Sequence, residues 1–357
     1  MNKVQLLIHA SLIIIICSFL PYKLKAQDAQ FSQFYNSPLF INPSLTGAFD
    51  GNNRVFINYR NQWSSITTPY KTFAFSYDMG LMKKKEGNGF LGVGISFLSD
   101  KAGSSQLGLN QVNLSLAYHV QISEYNNISA GIMGGFAQRS IDYSNLQWAS
   151  QFNSNNVYDP NLPSFESGIS QNKSYGDFGA GVEWAYSKGE MYATANNQLN
   201  VNAGLAVFHI NQPNVAFLST EKDQLPVKFV FHGNSQIGFS NSKYSIVPSF
   251  LYVQQGTTKD IIAEGMLRIK LIEESKYTGF VKGAALSLGG EYRIDDAIIP
   301  QVQLEFSNYA MGLSYDVNTS GLTTATSGRG GFEISLRWIN PNPFTGKTVT
   351  KTPRFFN

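Results

Sequence analysis

Most of this chain is written in period two. Leu91, Val93, Ile95 and Phe97 alternate with Gly92, Gly94 and Ser96, and Val112, Leu114, Leu116, Tyr118 and Val120 alternate with Gln111, Asn113, Ser115, Ala117 and His119. One apolar face and one small or polar face describe a strand between two different media. Besides these two segments the pattern recurs near 53–60, 71–79, 127–139, 175–186, 200–210, 227–239, 244–253, 259–269, 278–292, 298–306, 309–317 and 331–339. That makes about fourteen strands, each long enough or nearly so to cross a thin outer membrane at a tilt. Gly233 and Pro248 weaken the eighth and ninth as strands. The fold class expected is all-β: a transmembrane outer-membrane β-barrel of antiparallel strands over 53–339. An open sheet edge in hydrocarbon would leave backbone N–H and C=O groups unpaired, so such a sheet must close.

The start of the chain reads as a secretory signal peptide over 1–26. Lys3 charges the n-region, Leu12 to Leu20 is a short apolar h-region, and Ala26–Gln27 suits cleavage. That apolar stretch is too short to span a bilayer comfortably as an anchor. Cys17 follows Ile16, which is wrong for lipoprotein processing. Processing would remove Lys3, Lys23 and Lys25 and no acid, leaving 24 basic residues against 24 acids. The basic excess is therefore a feature of the signal, and nothing points to nucleic acid. Cys17 is the one cysteine, so the processed chain forms no disulfide. Past the signal there is no apolar run of helix-spanning length, and a membrane reading rests on strands alone. Charged residues make up only 14% and aromatic residues 13%. Soluble domains carry roughly 25% charge, whereas a lipid-facing wall with aromatic girdles needs little charge and many rings. Tyr59, Tyr118, Trp184, Tyr252 and Trp338 stand near strand ends as candidates for those girdles.

Connection lengths give a second test. With a periplasmic amino terminus, odd-numbered loops face outward, and these include 140–174, 211–226 and 318–330, among the longest gaps in the chain. The inward turns at 240–243 and 307–308 are short, as such barrels require. An even strand number sets both termini on the periplasmic side, with 340–357 as a periplasmic tail. Residues 27–52 do not alternate and are punctuated by Pro38, Pro43 and Gly47. Phe31, Phe34, Tyr35, Leu39, Phe40 and Ile41 need a surface, so this segment is expected to pack at the periplasmic mouth or in the lumen rather than to lie solvated.

Catalytic constellations are missing: there is no His-Glu-x-x-His, Cys-x-x-Cys, Gly-x-Ser-x-Gly or phosphate-cradling loop, and no cofactor is implied. His119, His209 and His232 remain after processing. His209 and His232 flank one outward loop and would be hydrogen-bonded there or, less simply, share a metal. The polar strand faces carry both signs, with Arg60, Arg139, Arg268 and Arg337 against Asp78, Asp177, Glu183, Glu264, Glu291, Asp316 and Glu333. A selective pore would show one dominant sign, so mixed charge fits ion pairs across the lumen or a lumen that holds protein. Lys83-Lys84-Lys85 falls in an inward turn and is expected to be solvated.

The segment Gln30-Phe31-Ser32-Gln33-Phe34-Tyr35, followed by Pro38-Leu39-Phe40-Ile41-Asn42-Pro43 and Thr46-Gly47, resembles the PorP/SprF family of type IX secretion system membrane proteins of Bacteroidota. The resemblance continues through Asn58-Tyr59-Arg60-Asn61-Gln62-Trp63, Tyr70 and Ser76-Tyr77-Asp78, then Leu146-Gln147-Trp148 and Gln151-Phe152. It covers His209-Ile210-Asn211-Gln212-Pro213 with Phe217, Leu225-Pro226 and His232, and ends in Ala297-Ile298-Ile299-Pro300, Leu313-Ser314-Tyr315-Asp316 and Gly331-Phe332-Glu333-Ile334-Ser335-Leu336. The tail departs from the family, since Thr352-Pro353-Arg354-Phe355-Phe356 lacks a cysteine that members often carry. The resemblance implies a non-enzymatic outer-membrane component of type IX protein secretion. Its partners would be outer-membrane lipid, the C-terminal domain of a secreted cargo (a gliding adhesin in some members) and the periplasmic machinery. The alternative from architecture alone is an outer-membrane channel or uptake barrel for small solutes.

Overall fold

The computed structural model describes residues 28–340 except 66–67, 84–87, 104, 143–145, 166–170, 189–197, 219–220, 273–282 and 322. The expected signal peptide, the tail after 340, and Lys84 and Lys85 lie outside the described residues.

Fourteen antiparallel strands close into one barrel. They are β1 (Asn53–Gln62), β2 (Tyr70–Leu81), β3 (Gly89–Ala102), β4 (Leu107–Gln121), β5 (Asn126–Ser140), β6 (Asn172–Lys188), β7 (Leu199–Phe208), β8 (Lys228–Gly238), β9 (Tyr244–Gln255), β10 (Thr258–Ile272), β11 (Ala284–Arg293), β12 (Ala297–Phe306), β13 (Tyr309–Asn318) and β14 (Arg329–Asn340). Each strand pairs with its sequence neighbours, and β1 closes on β14 from Asn53↔Asn340 to Gln62↔Gly331. Closure removes the two free edges that hydrocarbon would not tolerate.

The alternation maps onto the two sides of the wall. In β1, Arg54, Phe56, Asn58 and Arg60 are buried inward, while Val55, Ile57 and Tyr59 face outward. In β4, Leu114, Leu116 and Tyr118 are exposed outward while Asn113, Ser115 and His119 are buried. Tyr118 and Trp184 are exposed at the ends of their strands, and Tyr252 and Trp338 share the outward parity, half-buried. Gly233 and Pro248 do not break their strands. Pro248 pairs with Gly265 toward β10, and the β8 ladder skips from Asn234↔Ser249 to Ile237↔Ile246 beside it. The missing proline N–H costs a local gap and not the strand. The seventh strand stops at Phe208 rather than 210, because His209 turns the chain with φ 56°. Of the expected eleventh strand, 278–282 is outside the described residues and β11 runs from Ala284.

The two longest connections, 141–171 and 209–227, leave from one end of the barrel, as does 319–328, which is no longer than 189–198 and 273–283 at the other end. Length alone does not mark that end, because β9 and β10 are joined there through Gly256 (φ 61°) and Thr257.

Residues 28–52 lie inside the cylinder. Two 3-10 turns, Phe34–Asn36 and Pro43–Leu45, flank the short helix α1 (Pro38–Ile41). Pro38 and Pro43 each open a turn, where the absent N–H is no loss. The Asn42 side chain caps the second turn by accepting from the Ser44 N–H at 2.9 Å. Phe34, Tyr35, Ile41 and Leu45 pack against Met133, Ala206, Phe208, Val230, Leu251 and Ile262 of the wall, forming the main apolar core. The small residues of the inward face are where this segment comes closest. A Cβ on Gly131 would lie 2.5 Å from the Pro43 carbonyl carbon, and one on Gly92 would fall against the Thr46 carbonyl.

Gly131→Val therefore forces the wall off the segment and is expected to destabilise the barrel by about 1–3 kcal/mol. Gly265→Ala, where a Cβ meets nothing within 4 Å, leaves stability near wild type. Unfolding in detergent micelles, followed by loss of strand signal against urea, measures both.

Candidate functional site

The site is the contact between residues 28–52 and the inward faces of the strands, and it has four levels. At the long-loop end Asp28 is held by three wall residues. Its carboxylate accepts from Lys228 Nζ at 2.8 Å, His209 Nε2 at 2.8 Å and Gln255 Nε2 at 3.3 Å, and its own N–H donates to Gln255 Oε1 at 3.0 Å. His209 Nδ1 lies 2.9 Å from Asp177. Both ring nitrogens face carboxylates, so both donate and the ring is a cation. Burial opposes that charge, but Asp28 and Asp177 prevail and hold the imidazole at about 9, above its usual 6.5. Burial would raise the Asp28 carboxyl, yet Lys228 and His209 keep it well below its ordinary value.

Just below, the segment straddles the β1–β14 seam. Glu333 on β14 accepts the backbone N–H of Ser32 at 2.7 Å and of Gln33 at 3.0 Å, and Asn58 Nδ2 on β1 at 2.9 Å. Arg60 on β1 donates to the Gln30 carbonyl and pairs with Asp316. Asp316 also accepts from Ser32 Oγ at 2.8 Å and from Arg293 at 3.3 Å. Gln33 Nε2 reaches Ser314 Oγ at 3.1 Å, and Asn36 Nδ2 reaches Ser335 Oγ at 2.9 Å.

At mid-depth Asn42 sits in a niche left by Gly181 and Gly204. Its Oδ1 accepts from Ser44 N and Oγ, which fixes its Nδ2 as donor to the Val182 carbonyl at 3.0 Å and to His232 Nε2 at 3.1 Å. That ring nitrogen accepts, so His232 is neutral and the 3.3 Å approach of Glu183 to it is not an ion pair. At the short-turn end Arg54 donates to both oxygens of Asp78, at 3.0 and 2.7 Å, and to the Leu45 carbonyl at 3.1 Å. Asp78 in turn accepts the N–H of Gly47 at 2.7 Å. Gly47 has φ 78°, the left-handed turn that aims this N–H. His119 Nε2 donates to the Thr46 carbonyl at 2.7 Å.

Of the residues expected from sequence, the structure brings together Phe31, Ser32, Gln33, Phe34, Tyr35, Pro38, Asn42, Pro43 and Gly47 on the segment with Arg60, Asp78, Glu183, His209, His232, Asp316 and Glu333 on the wall. Glu264 and Glu291 face each other as a cross-strand pair inside, with Glu291 bonded by Gln301. Arg268 pairs with Glu305 at 2.8 Å, buried Arg337 lies near it, and Arg139 faces inward beside Tyr175. Tyr59 is outside the site, on the lipid face. Gln62 closes the β1 ladder opposite Gly331, and Trp63 (φ 54°) packs edge-on against Tyr70 at the rim. Gln212 is exposed and donates its N–H to the His209 carbonyl, while Pro213 accepts the Leu225 N–H beside half-buried Pro226, so these three shape the 209–227 loop. His209 and His232 do not converge, and among the described residues no group of three or more His, Cys, Asp or Glu is placed to hold a metal.

One expectation needs correction. Lys83 is not solvated: its Nζ donates to the Phe49 and Gly51 carbonyls at 2.9 Å each and lies over the Phe49 ring. Burial lowers it to about 8, against the pull of Asp78 and Asp50. Sequence reasoning also missed Asp28, Arg54, Lys228 and Arg293. Arg54 was legible, since it shares strand parity with Asn58 and Arg60.

The fold and this interior define a class: an outer-membrane β-barrel whose lumen holds its own amino-terminal segment. The model of the family described as "Type IX secretion system membrane protein PorP/SprF" matches residues 23–338. The chain belongs to this family and is a membrane component of type IX secretion. No curated protein matches it. Among solved structures it is similar to the CymD monoaromatic hydrocarbon channel, at 10% identity over 89% of this chain and 95% of that one, with TM-score 0.44. It is also similar to BamA from Haemophilus ducreyi lacking POTRA domains 1-3, at 9% identity over 81% and 70%, with TM-score 0.40. A third is the KdgM porin, at 10% identity over 79% and 98%, with TM-score 0.34. At these scores none carries an argument about this chain.

Two outcomes follow from the tethers. Asp78→Ala strands the buried Arg54 guanidinium and is expected to cost about 3–5 kcal/mol in the same unfolding assay. The Asp28–His209 tether depends on pH. His209 is raised in the folded state, so its stabilisation is complete below pH 6.5 and is lost as pH rises through about 9. Asp28 is depressed, so its share is lost only as pH falls below its ordinary 3.8. Between pH 6.5 and 9 the wild-type melting temperature should fall more than that of His209→Gln. Parallel profiles would contradict the tether.

Proposed function

We propose that this protein is a non-conducting, non-enzymatic scaffold in the outer membrane that supports export or surface anchoring of a specific type IX cargo. In this reading the end bearing 141–171 and 209–227 faces the exterior and receives the cargo's C-terminal domain. The short-turn end and the tail after 340 face the periplasm and meet the secretion machinery there. A gliding adhesin is one cargo that fits. The carrying observation is the filled lumen: residues 28–49 are tethered to the wall at both rims and at mid-depth. Two cavities beside the segment, about 70 and 20 Å³, have room for a few waters. A solute channel would need that space, and a selective one would not line it with balanced charge. Family and fold also fit a protein without catalysis.

Deleting the protein while leaving its neighbouring genes intact should stop one cargo from reaching the surface and spare the others. Normal display of every type IX cargo would contradict the proposal. Purified wild-type protein should stay closed in planar bilayers; steady single-channel conductance would favour the channel instead.

A further inference from the structure

The strands and the amino-terminal segment run in opposite senses along the barrel axis. β1 begins at the short-turn end, where Asn53 pairs with Asn340 and the Asn52 N–H bonds the Asn340 carbonyl. Asp28 sits at the other end. Its partners are the residue just after β7 (His209), the first residue of β8 (Lys228) and the last of β9 (Gln255). The contacts between them descend in order. Ser32 and Gln33 meet Glu333, Asn42 meets His232, Thr46 meets His119, and Gly47 meets Asp78. The segment therefore traverses the lumen once, from the long-loop rim to the short-turn rim. The two cavities beside it, about 70 and 20 Å³, are small against the volume of a second backbone pass.

We infer that whatever precedes Asp28 leaves the lumen at the long-loop end, so that the amino terminus of the processed chain is part of the external surface, beside the 209–227 loop. The inference rests on the outward placement of the long loops proposed above. Strand parity alone would leave that terminus in the periplasm; the lumen segment moves it across the membrane. A corollary concerns assembly: the free end must enter the cylinder before β1 and β14 seal, which an attached apolar signal would obstruct.

Single cysteines in a Cys17→Ser background test this with a membrane-impermeant maleimide. Gln27→Cys reports the amino terminus, Asn155→Cys the exposed long loop and Lys243→Cys the exposed short turn. The expected result is labelling of Gln27→Cys and Asn155→Cys on intact cells, and of Lys243→Cys only once the outer membrane is opened. If Gln27→Cys behaves like Lys243→Cys while Asn155→Cys still labels, the inference is overturned and the outward loops stand. If Asn155→Cys is shielded and Lys243→Cys labels on intact cells, the loop placement itself fails and the inference with it. Labelling of Gln27→Cys only after denaturation also overturns it. Impermeant amine-biotinylation of unmutated cells gives a reading independent of these substitutions. The terminal peptide should be modified together with exposed Lys222, and its protection while Lys222 reacts counts against the inference.

Discussion

Everything in this structure follows from one constraint: a sheet in hydrocarbon has to close, and closing it encloses charge. Arg54, Arg60, Asp78, Asp177, Arg293, Asp316 and Glu333 are all buried within the cylinder. Each would be costly to bury unpaired. Side chains from adjacent and next-but-one strands satisfy part of this need. The remainder is met by the backbone of residues 28–52, whose turns offer N–H and carbonyl groups that no neighbouring strand claims. Glu333 shows the division of labour, with one carboxylate accepting two successive segment N–H groups and an amide from β1.

The same contacts link the segment to closure of the barrel. Glu333 and Ser335 lie on the last strand, Arg60 and Asn58 on the first, and residues 30–37 bond to all four. The interior segment thus bridges the seam with the largest sequence separation in the fold. Loop-closure entropy is paid over almost the whole chain when β1 meets β14, and a prebound segment presents both edges with shared partners. These contacts hold the segment against both strands of the seam, the arrangement on which the proposed scaffold role rests.

Much of the barrel was legible because lipid and lumen impose different chemistry on alternate residues. Outward Leu114, Leu116 and Tyr118 against inward Asn113, Ser115 and His119 leave little choice of fold or register. Pro248 misleads because a strand rule says nothing about a single tolerated gap in a ladder. The site was half legible. Mixed charge on the inward faces left two readings, ion pairs across the lumen or a lumen holding protein, and the apolar residues around Phe31 asked for a surface at the periplasmic mouth or in the lumen. The pairings were not legible: Ser32–Glu333 is set by three-dimensional closure, and Arg54–Asp78 depends on the exact register of the β1–β2 hairpin. The glycines at 92, 131, 181 and 204 mark where the segment passes, which no sequence pattern displays. Lys83 looked like part of a solvated basic run because its acceptors, the Phe49 and Gly51 carbonyls, are backbone atoms that no sequence pattern displays.

The central claim is that residues 28–52 occupy the lumen in the register described, and a disulfide across it tests this most directly. Asn36 and Ser335 touch through their side chains at 2.9 Å, and Cys17 is the sequence's one cysteine. Asn36→Cys/Ser335→Cys in a Cys17→Ser background should oxidise spontaneously in the native membrane. The product would be a covalent ring spanning nearly the whole chain, which shifts the mobility of the heat-denatured, unreduced band and reverts on reduction. Two free, maleimide-reactive thiols in the folded protein would place the segment elsewhere and contradict the account.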